Sequence, residues 1–117
     1  MDLTVSREDM DGIAVIRPLG EVDVYTAPTL KEHLLGAFDS GRTRMVIDLT
    51  GVGFLDSSGL GVLVGALKRA NEANGALRIV CSSEPILKIF RLTGLDAVFA
   101  IDPDVDAATA AISEASA

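Results

Sequence analysis

Phe54-Leu55-Asp56-Ser57-Ser58-Gly59-Leu60-Gly61 is the stretch that decides how this chain folds. An apolar strand pattern at residues 45–49 precedes it, and a long apolar helical pattern at residues 60–73 follows it. Aspartate and serine are favoured at helix N-termini because their side-chain oxygens accept hydrogen bonds from the free N–H groups of the first turn. The positive end of the helix dipole also favours anions there. A serine in this position could hold the helix start, attack a substrate or carry a phosphate.

The composition predicts one globular domain. The chain has 117 residues, which is long enough for a core and too short for two domains. Hydrophobic residues make up 49% of it and charged residues 23%, an ordinary balance for a soluble protein. We therefore expect a single domain over residues 1–117, with residues 113–117 as a frayed tail.

The charge argues against nucleic acid and anionic membranes as partners. Ten Lys and Arg oppose seventeen Asp and Glu, which gives a net charge of −7, and no basic cluster is longer than Lys68-Arg69. Nucleic-acid binding needs a basic surface that neutralises phosphates. The longest apolar run, residues 59–67, is far shorter than the ~20 residues that span a bilayer. Because the N-terminus also lacks a signal-peptide pattern, we expect a cytoplasmic chain with no membrane segment.

Strand and helix patterns alternate along the chain. An alternation from Leu3 to the Asp11-Gly12 turn and beyond predicts a β-hairpin, and residues 19–23 read as a short third strand or an extended loop. From Ala27 onward the order is α, β, α, β, α, β, α, with strands at residues 45–49, 77–81 and 98–101. This order predicts an α/β fold, a mixed β-sheet of about five strands flanked by about four helices. The strand at residues 45–49 should end where Ser57 begins, at the sheet edge where such folds place their sites.

Each helical pattern has a predicted start, end and core face. Thr26 should cap the first helix and Gly41 should end it, Gly75 should end the second, and Asp102 with Pro103 should open the last. The residues at helical spacing that should face the core are Leu30, Leu34, Ala37 and Phe38, then Leu60, Leu63, Leu67 and Ala70, then Ile86, Ile89 and Phe90, and finally Val105, Ala108 and Ile112.

The residues offer little for metal, cofactor or redox chemistry. Cys81 is the sole cysteine and ends a strand pattern, so a small buried hydrophobe is the simplest interpretation, with an intermolecular disulfide as the alternative. The acidic residues are scattered, so we expect no metal site and no cofactor. The glycine-rich segments on either side of Asp56 lack the patterns of nucleotide-binding loops.

Hydrolytic catalysis by Ser57 or Ser58 has weak support. A nucleophilic serine needs a base within hydrogen-bond reach, and the only histidine, His33, is predicted on the flank of the first helix. The order Asp-Ser-Ser-Gly-Leu-Gly also lacks the Gly-x-Ser-x-Gly elbow of serine hydrolases. We therefore expect that the chain is not an enzyme.

Two interpretations of the serines remain open on the residues alone. A plain helix cap by Asp56 or Ser57 would stabilise the fold by ~1 kcal/mol and would explain the polarity of the stretch. It would not explain Gly59 and Gly61, because each glycine lowers helix propensity by up to ~1 kcal/mol relative to alanine. The two glycines would instead leave the serine hydroxyls unshielded, so that a large partner could reach them. Gly61 and Gly65 also form a bare stripe that a neighbouring backbone could approach.

Residues 54–63, Phe-Leu-Asp-Ser-Ser-Gly-Leu-Gly-Val-Leu, resemble the characteristic motif of bacterial anti-sigma factor antagonists of the STAS domain family. Three further segments match in order: Gly-Glu-Val-Asp-Val-Tyr-Thr-Ala-Pro at residues 20–28, Val-Ile-Asp-Leu at residues 46–49, and Ile-Phe-Arg-Leu-Thr-Gly-Leu at residues 89–95. The resemblance covers essentially the whole chain. Residues 23–28 are most similar to the actinobacterial branch of the family.

This resemblance implies a mixed sheet flanked by helices and a partner-switching role in transcription and the stress response. In the family, the serine directly after the aspartate is phosphorylated by a cognate anti-sigma factor that is itself a serine kinase. That serine is Ser57 here, with Ser58 as the second candidate. The unphosphorylated form binds the anti-sigma factor and frees the sigma factor, and a metal-dependent PP2C-type phosphatase resets the phosphorylated form. The residues implied to meet the kinase are Asp23, Asp56, Ser57, Ser58, Gly59, Leu60 and Gly61. An alternative with the same chemistry is a scaffold module in a stress-sensing multiprotein complex.

Overall fold

The computed structural model describes residues 2–115. Within that range the chain forms six strands and four helices around one mixed sheet. In chain order they are β1 (Leu3–Met10), β2 (Ile13–Val22), α1 (Ala27–Asp39), β3 (Arg44–Asp48), β4 (Val52–Leu55), α2 (Ser57–Glu72), β5 (Ala76–Val80), α3 (Glu84–Leu92), β6 (Ala100–Asp102) and α4 (Val105–Ala115). The predicted α/β class is confirmed, with one strand more than expected.

The sheet is antiparallel at one edge and parallel elsewhere. β1 and β2 form the predicted hairpin, in which Asp11 and Gly12 have φ angles of 54° and 81°. Positive φ at both central residues is the geometry of a two-residue turn that matches the twist of the paired strands. The strand order is β1-β2-β3-β5-β6, and every pairing beyond the hairpin is parallel.

The prediction for residues 19–23 and for the strand before Ser57 was wrong. Residues up to Val22 continue β2, which pairs with β3 through residues 14–16 and with β4 through residues 20–22. Residues 52–55 form the strand β4, so β4 and not the strand at residues 45–49 leads into Ser57. Gly53 is left out of the register between Gly20↔Val52 and Glu21↔Phe54, and this irregularity hides the strand pattern.

Helices cover both faces of the sheet. The larger core cluster packs α1, α2 and α3 against one face, and α4 covers part of the other face. Of the predicted core residues, those of α1 are all buried, as are Leu60, Leu63, Ala70, Ile86, Phe90, Ala108 and Ile112. Leu67, Ile89 and Val105 are only partly buried.

The ends of several elements differ from their predictions. Asn74 takes the left-handed conformation after α2, at φ 56°, whereas a Cβ on Gly75 would lie 1.8 Å from the Thr43 carbonyl oxygen, so Gly75 serves a close approach. The last strand begins at Ala100 and not at residue 98, because residues 95–97 form a 3-10 turn.

The last helix also starts and ends differently. The side chain of Asp104, not that of Asp102, caps it by accepting a hydrogen bond from the Ala107 N–H at 2.8 Å. Asp102 belongs to β6 and pairs with Arg78 across the sheet. The helix runs to Ala115, so residues 113–115 of the tail expected to fray are helical, and residues 116 and 117 lie outside the described residues.

Two glycines of α2 that look alike in the sequence have different roles. A Cβ on Gly59 would lie 2.5 Å from Leu55 Cδ1 and 2.7 Å from Val22 Cγ1, so the expectation that Gly59 leaves room for a partner was wrong. It is buried and lets the helix approach β2 and β4. Apart from its chain neighbours and the backbone of α2 itself, a Cβ on Gly61 or Gly65 would have no atom of the described residues within 4 Å. The neighbouring backbone that was expected along this stripe therefore does not come from residues 2–115.

Gly59→Ala and Gly61→Ala should therefore change stability in opposite directions. We expect Gly59→Ala to lower the free energy of unfolding by ~1–3 kcal/mol, because the added methyl overpacks the core beneath α2. Gly61→Ala, the matched control on the same helix, should raise it by up to ~1 kcal/mol through helix propensity alone. Urea unfolding monitored by circular dichroism measures both. Equal effects would contradict the structural distinction.

Candidate functional site

The site lies where two parallel strands end side by side. Val22, the last residue of β2, pairs with Leu55, the last residue of β4, and the Asp56 N–H donates to the Val22 carbonyl at 3.2 Å. Asp23 and Asp56 are the next residues of the two strands. The structure therefore brings together the two carboxylates that the sequence places 33 positions apart, at the carboxyl edge of the sheet.

Asp56 is the cap of α2. Its backbone is extended, and Oδ1 accepts hydrogen bonds from the Ser58 N–H at 2.9 Å and the Gly59 N–H at 3.2 Å. These bonds satisfy two of the backbone groups that a helix start leaves free. Of the two residues predicted as a plain helix cap, Asp56 is confirmed as the cap, and Ser57 is not needed for it.

The two serines differ in accessibility. Ser57 is exposed at the first position of α2, and no hydrogen bond among residues 2–115 involves its hydroxyl. Ser58 is half-buried, and it lines a groove between α1 and α2. The hydroxyl that a large partner can reach most directly is that of Ser57.

The Asp23 side chain fixes the backbone of the loop that follows it. Its Oδ1 accepts hydrogen bonds from the Tyr25 N–H and the Thr26 N–H, both at 2.9 Å. Thr26 occupies the N-cap position of α1, but its hydroxyl donates to the Glu21 carbonyl at 2.8 Å and does not bind a helix N–H, so the predicted cap interaction was wrong. The hydrogen bond from the Thr26 backbone, and to a smaller extent the one from Tyr25, lowers the pKa of the Asp23 carboxyl.

This loop presents two apolar side chains that the sequence analysis missed. Val24 is 59% exposed and Tyr25 is 86% exposed. The hydrogen bonds that Asp23 accepts from the Tyr25 and Thr26 N–H groups fix the backbone of the loop around them. Large apolar side chains that are exposed on a rigid loop are typical of contact surfaces between proteins. Both residues belong to the segment at residues 20–28 that resembles the family, and this was the signal available in the sequence.

The remaining residues implied by the resemblance lie at different depths. Gly61 is exposed like Ser57, whereas Asp56 is half-buried. Gly59 and Leu60 are buried in the core, the latter with 7% of its surface exposed. Surface that a partner could contact is thus present at Ser57, Gly61 and the edge of Ser58, while Gly59 and Leu60 are buried and position the helix.

The structure does not bring a base to the serines. His33 is exposed on α1, where its Nδ1 lies 2.9 Å from the Thr29 carbonyl oxygen, and it lines a cavity that does not include Ser57 or Ser58. Residues 2–115 contain no group of three or more His, Cys, Asp or Glu side chains that could hold a metal ion. No helix in this range is long and apolar enough to cross a membrane.

Cys81 behaves as the predicted buried hydrophobe. It is 3% exposed, and burial raises the pKa of its thiol. A thiol in this state is a poor nucleophile at neutral pH.

Known proteins are similar to this chain in sequence and fold. The STAS domain family matches residues 4–108. The anti-sigma-B factor antagonist of Staphylococcus aureus (strain NCTC 8325 / PS 47) is 36% identical over 95 residues, which are 81% of this chain and 88% of that protein. An anti-sigma factor antagonist from Mycobacterium paratuberculosis superposes with a TM-score of 0.88 at 32% identity, over 95% of this chain and 94% of that one.

A more distant structure shows the fold in two states. The phosphorylated form of the Bacillus cell fate determinant SpoIIAA superposes with a TM-score of 0.68 at 21% identity, over 91% of this chain and 96% of that one. The unphosphorylated form superposes with a TM-score of 0.69 at 19% identity, over 90% and 91% of the two chains. At these identities the likeness shows the fold alone.

The Asp23 carboxyl should titrate below about 3.9, the ordinary value for aspartate. Because its folded-state pKa is lowered, its hydrogen bonds stabilise the loop above the unfolded-state pKa, and this stability is lost as the pH falls through the folded-state pKa. An NMR pH titration that follows the amides of Tyr25 and Thr26 measures the midpoint. In the control Asp23→Asn both amides should lose this pH dependence, and a midpoint at or above about 3.9 in the parent would contradict the assigned bonds.

Proposed function

This chain belongs to the STAS domain family, and from that premise we propose that it is an anti-sigma factor antagonist that works by partner switching. In this proposal, the unphosphorylated chain binds an anti-sigma factor that is also a serine kinase, so that the sigma factor is released. Phosphorylation of Ser57 by that kinase ends the binding, and a PP2C-type phosphatase restores it. The chain acts as a regulatory cytoplasmic binding protein and not as an enzyme, with residues 1–117 as a single domain.

The accessible hydroxyl of Ser57 is the observation that carries the proposal. Asp56 already caps α2, and Ser57 stands exposed on the first turn with no hydrogen bond to give up when a kinase approaches. Ser58 is the weaker acceptor of a phosphate, because its side chain is half-buried. A single Ser57 phosphate therefore accounts for the switch.

A phosphate at Ser57 can be accommodated within the chain. It adds about −1.5 to −2 charges at neutral pH, and the positive end of the α2 dipole favours an anion there. The fold superposes equally well on the phosphorylated and the unphosphorylated form of SpoIIAA, which supports a switch without refolding.

The same phosphate should break a complex between two proteins. It would place a bulky dianion in a contact surface beside the Asp56 carboxylate and the bare backbone of Gly61. Desolvation of the dianion, its steric bulk and repulsion from any acidic group on the partner all oppose binding. The switch is then a local charge change and not a rearrangement of the sheet or helices.

Phosphosite mapping by mass spectrometry tests the proposal in its native setting. The protein is isolated from its own cells during growth and under stress. We expect partial phosphorylation on Ser57, with an occupancy that changes between the two conditions. Phosphate found only on Ser58 would contradict the assignment to Ser57. Absence of phosphate from both serines under every condition would contradict a phosphorylation switch and leave a constitutive binding protein.

Substitution of Ser57 separates charge from the loss of the hydroxyl. Each anti-sigma factor kinase encoded in the same genome is titrated with the parent chain, with Ser57→Ala and with Ser57→Asp by isothermal calorimetry. For the cognate kinase we expect Ser57→Ala to bind like the parent. We also expect it to stay bound when ATP is added, because the kinase has no Ser57 hydroxyl to phosphorylate. Ser57→Asp should bind at least about tenfold more weakly, a difference of ~1.4 kcal/mol. Equal affinities of Ser57→Asp and the parent would contradict the electrostatic account.

A further inference from the structure

An apolar groove starts at the half-buried serine and follows the second helix. Its cavity of about 320 Å³ lies between α1 and α2. Leu35 and Phe38 of α1 form one wall, and Val62 of α2 lies on the other. From Ser58 to Arg69 the groove follows α2 for about three turns, or roughly 16 Å.

No part of the described chain fills this groove. Gly61 and Gly65 line it, and a Cβ at either position would meet no atom of residues 2–115 within 4 Å apart from its chain neighbours and the backbone of α2 itself. Gly61 and Gly65 each lower the helix propensity of α2 by up to ~1 kcal/mol relative to alanine. No packing within residues 2–115 requires a glycine at either position. The α2 side of the groove is left bare.

The groove carries positive charge in an acidic protein. Lys31 of α1 lines it and forms no ion pair among the described residues. Arg69 of α2 also lines it, with its guanidinium 5.1 Å from the Phe38 ring and 3.2 Å from Asp39. The Arg69 pair with Asp39 is exposed and contributes little to stability, so Arg69 can exchange partners. Both cations favour an acidic occupant, although the whole chain has a net charge of −7.

The size and position of the groove favour a partner protein over a small free ligand as its occupant. Pockets that enclose small ligands measure ~300–1,000 Å³ and bury most of the ligand, and this open groove is at the lower limit. It is also continuous with the surface around Ser57, since Ser58 belongs to both. A protein bound at Ser57 would lie over the mouth of the groove.

We propose that this groove receives a segment of the same anti-sigma factor that meets Ser57, a segment with an apolar face and flanking acidic side chains. The inference rests on the proposed function and adds a second contact to it. Apolar side chains of the partner fill the space beside Gly61 and Gly65, and its carboxylates pair with Lys31 and Arg69. Recognition by such a segment would let the chain discriminate its own anti-sigma factor from others.

Filling the groove tests the contact with the cognate kinase. Gly65→Leu adds a side chain at a position that lines the groove two turns away from Ser57, where a Cβ meets no described atom outside its own helix within 4 Å. Gly36→Leu is the matched control, because Gly36 is also a helical glycine with open space at its Cβ but lines the other cavity. Thermal unfolding first confirms that both variants fold. We expect Gly65→Leu to bind at least about tenfold more weakly than Gly36→Leu.

Charge reversal tests the acidic partner. Lys31→Glu changes a cation in the groove, and Lys68→Glu makes the same change in net charge at an exposed α2 position outside it. We expect Lys31→Glu to weaken binding at least about fivefold more than Lys68→Glu, with the difference shrinking as salt is raised.

The outcomes separate this inference from the function on which it rests. If the parent binds the kinase in a Ser57-dependent way and Gly65→Leu binds as well as Gly36→Leu, the groove contact is overturned and the proposed function stands. If sedimentation shows that the parent self-associates and Gly65→Leu does not, a second copy of this chain is the occupant and the inference is overturned. If no kinase of the genome binds the parent, both proposals fall together.

Discussion

The parallel pairing of β2 with β4 is the constraint on which the site depends. Val22 and Leu55 pair at the ends of their strands, and the backbone of Asp56 is tied to Val22. Gly59 then brings the first turn of α2 against both side chains, because it has no Cβ to keep them apart. The start of the helix is thereby fixed against the sheet, and with it the position of Ser57.

Both carboxylates at this sheet edge are engaged with their own backbone. Asp56 accepts from the first turn of α2, and Asp23 accepts from the loop that leads into α1. The family motif suggests that these side chains meet a partner, but the geometry uses them to place other groups: Ser57 in one case, Val24 and Tyr25 in the other. The exposed groups are therefore a hydroxyl and apolar surface, which would cost little to desolvate in a complex, whereas the proposed phosphate would cost much more.

The sequence could predict what depends on local periodicity and local motifs. The four helices and the hairpin follow from spacing and turn residues, and the motif locates Ser57 beside Asp56. The errors concern contacts between distant segments. β4 is four residues long and loses its register at Gly53, so it is visible only once β2 is beside it. Gly59 and Gly61 are equivalent in the motif, and only the tertiary contacts of Gly59 show which one is structural. The exposure of Tyr25 likewise depends on how Asp23 folds the loop.

The groove begins beside Ser57, at Ser58, but its Arg69 end is far enough from Ser57 to be controlled separately. Arg69 lies twelve residues after Ser57, about 18 Å along the helix axis. The Debye length at physiological salt is about 8 Å, so the charge of a Ser57 phosphate is largely screened before it reaches Arg69. A partner that uses both contacts would lose the first on phosphorylation and keep the second. Release then requires that the second contact be weak by itself, as a shallow groove with exposed ion pairs worth ~0–1 kcal/mol would be. A deeper pocket would hold the phosphorylated chain and defeat the switch, so the modest size of the groove is consistent with a contact that adds specificity without preventing release.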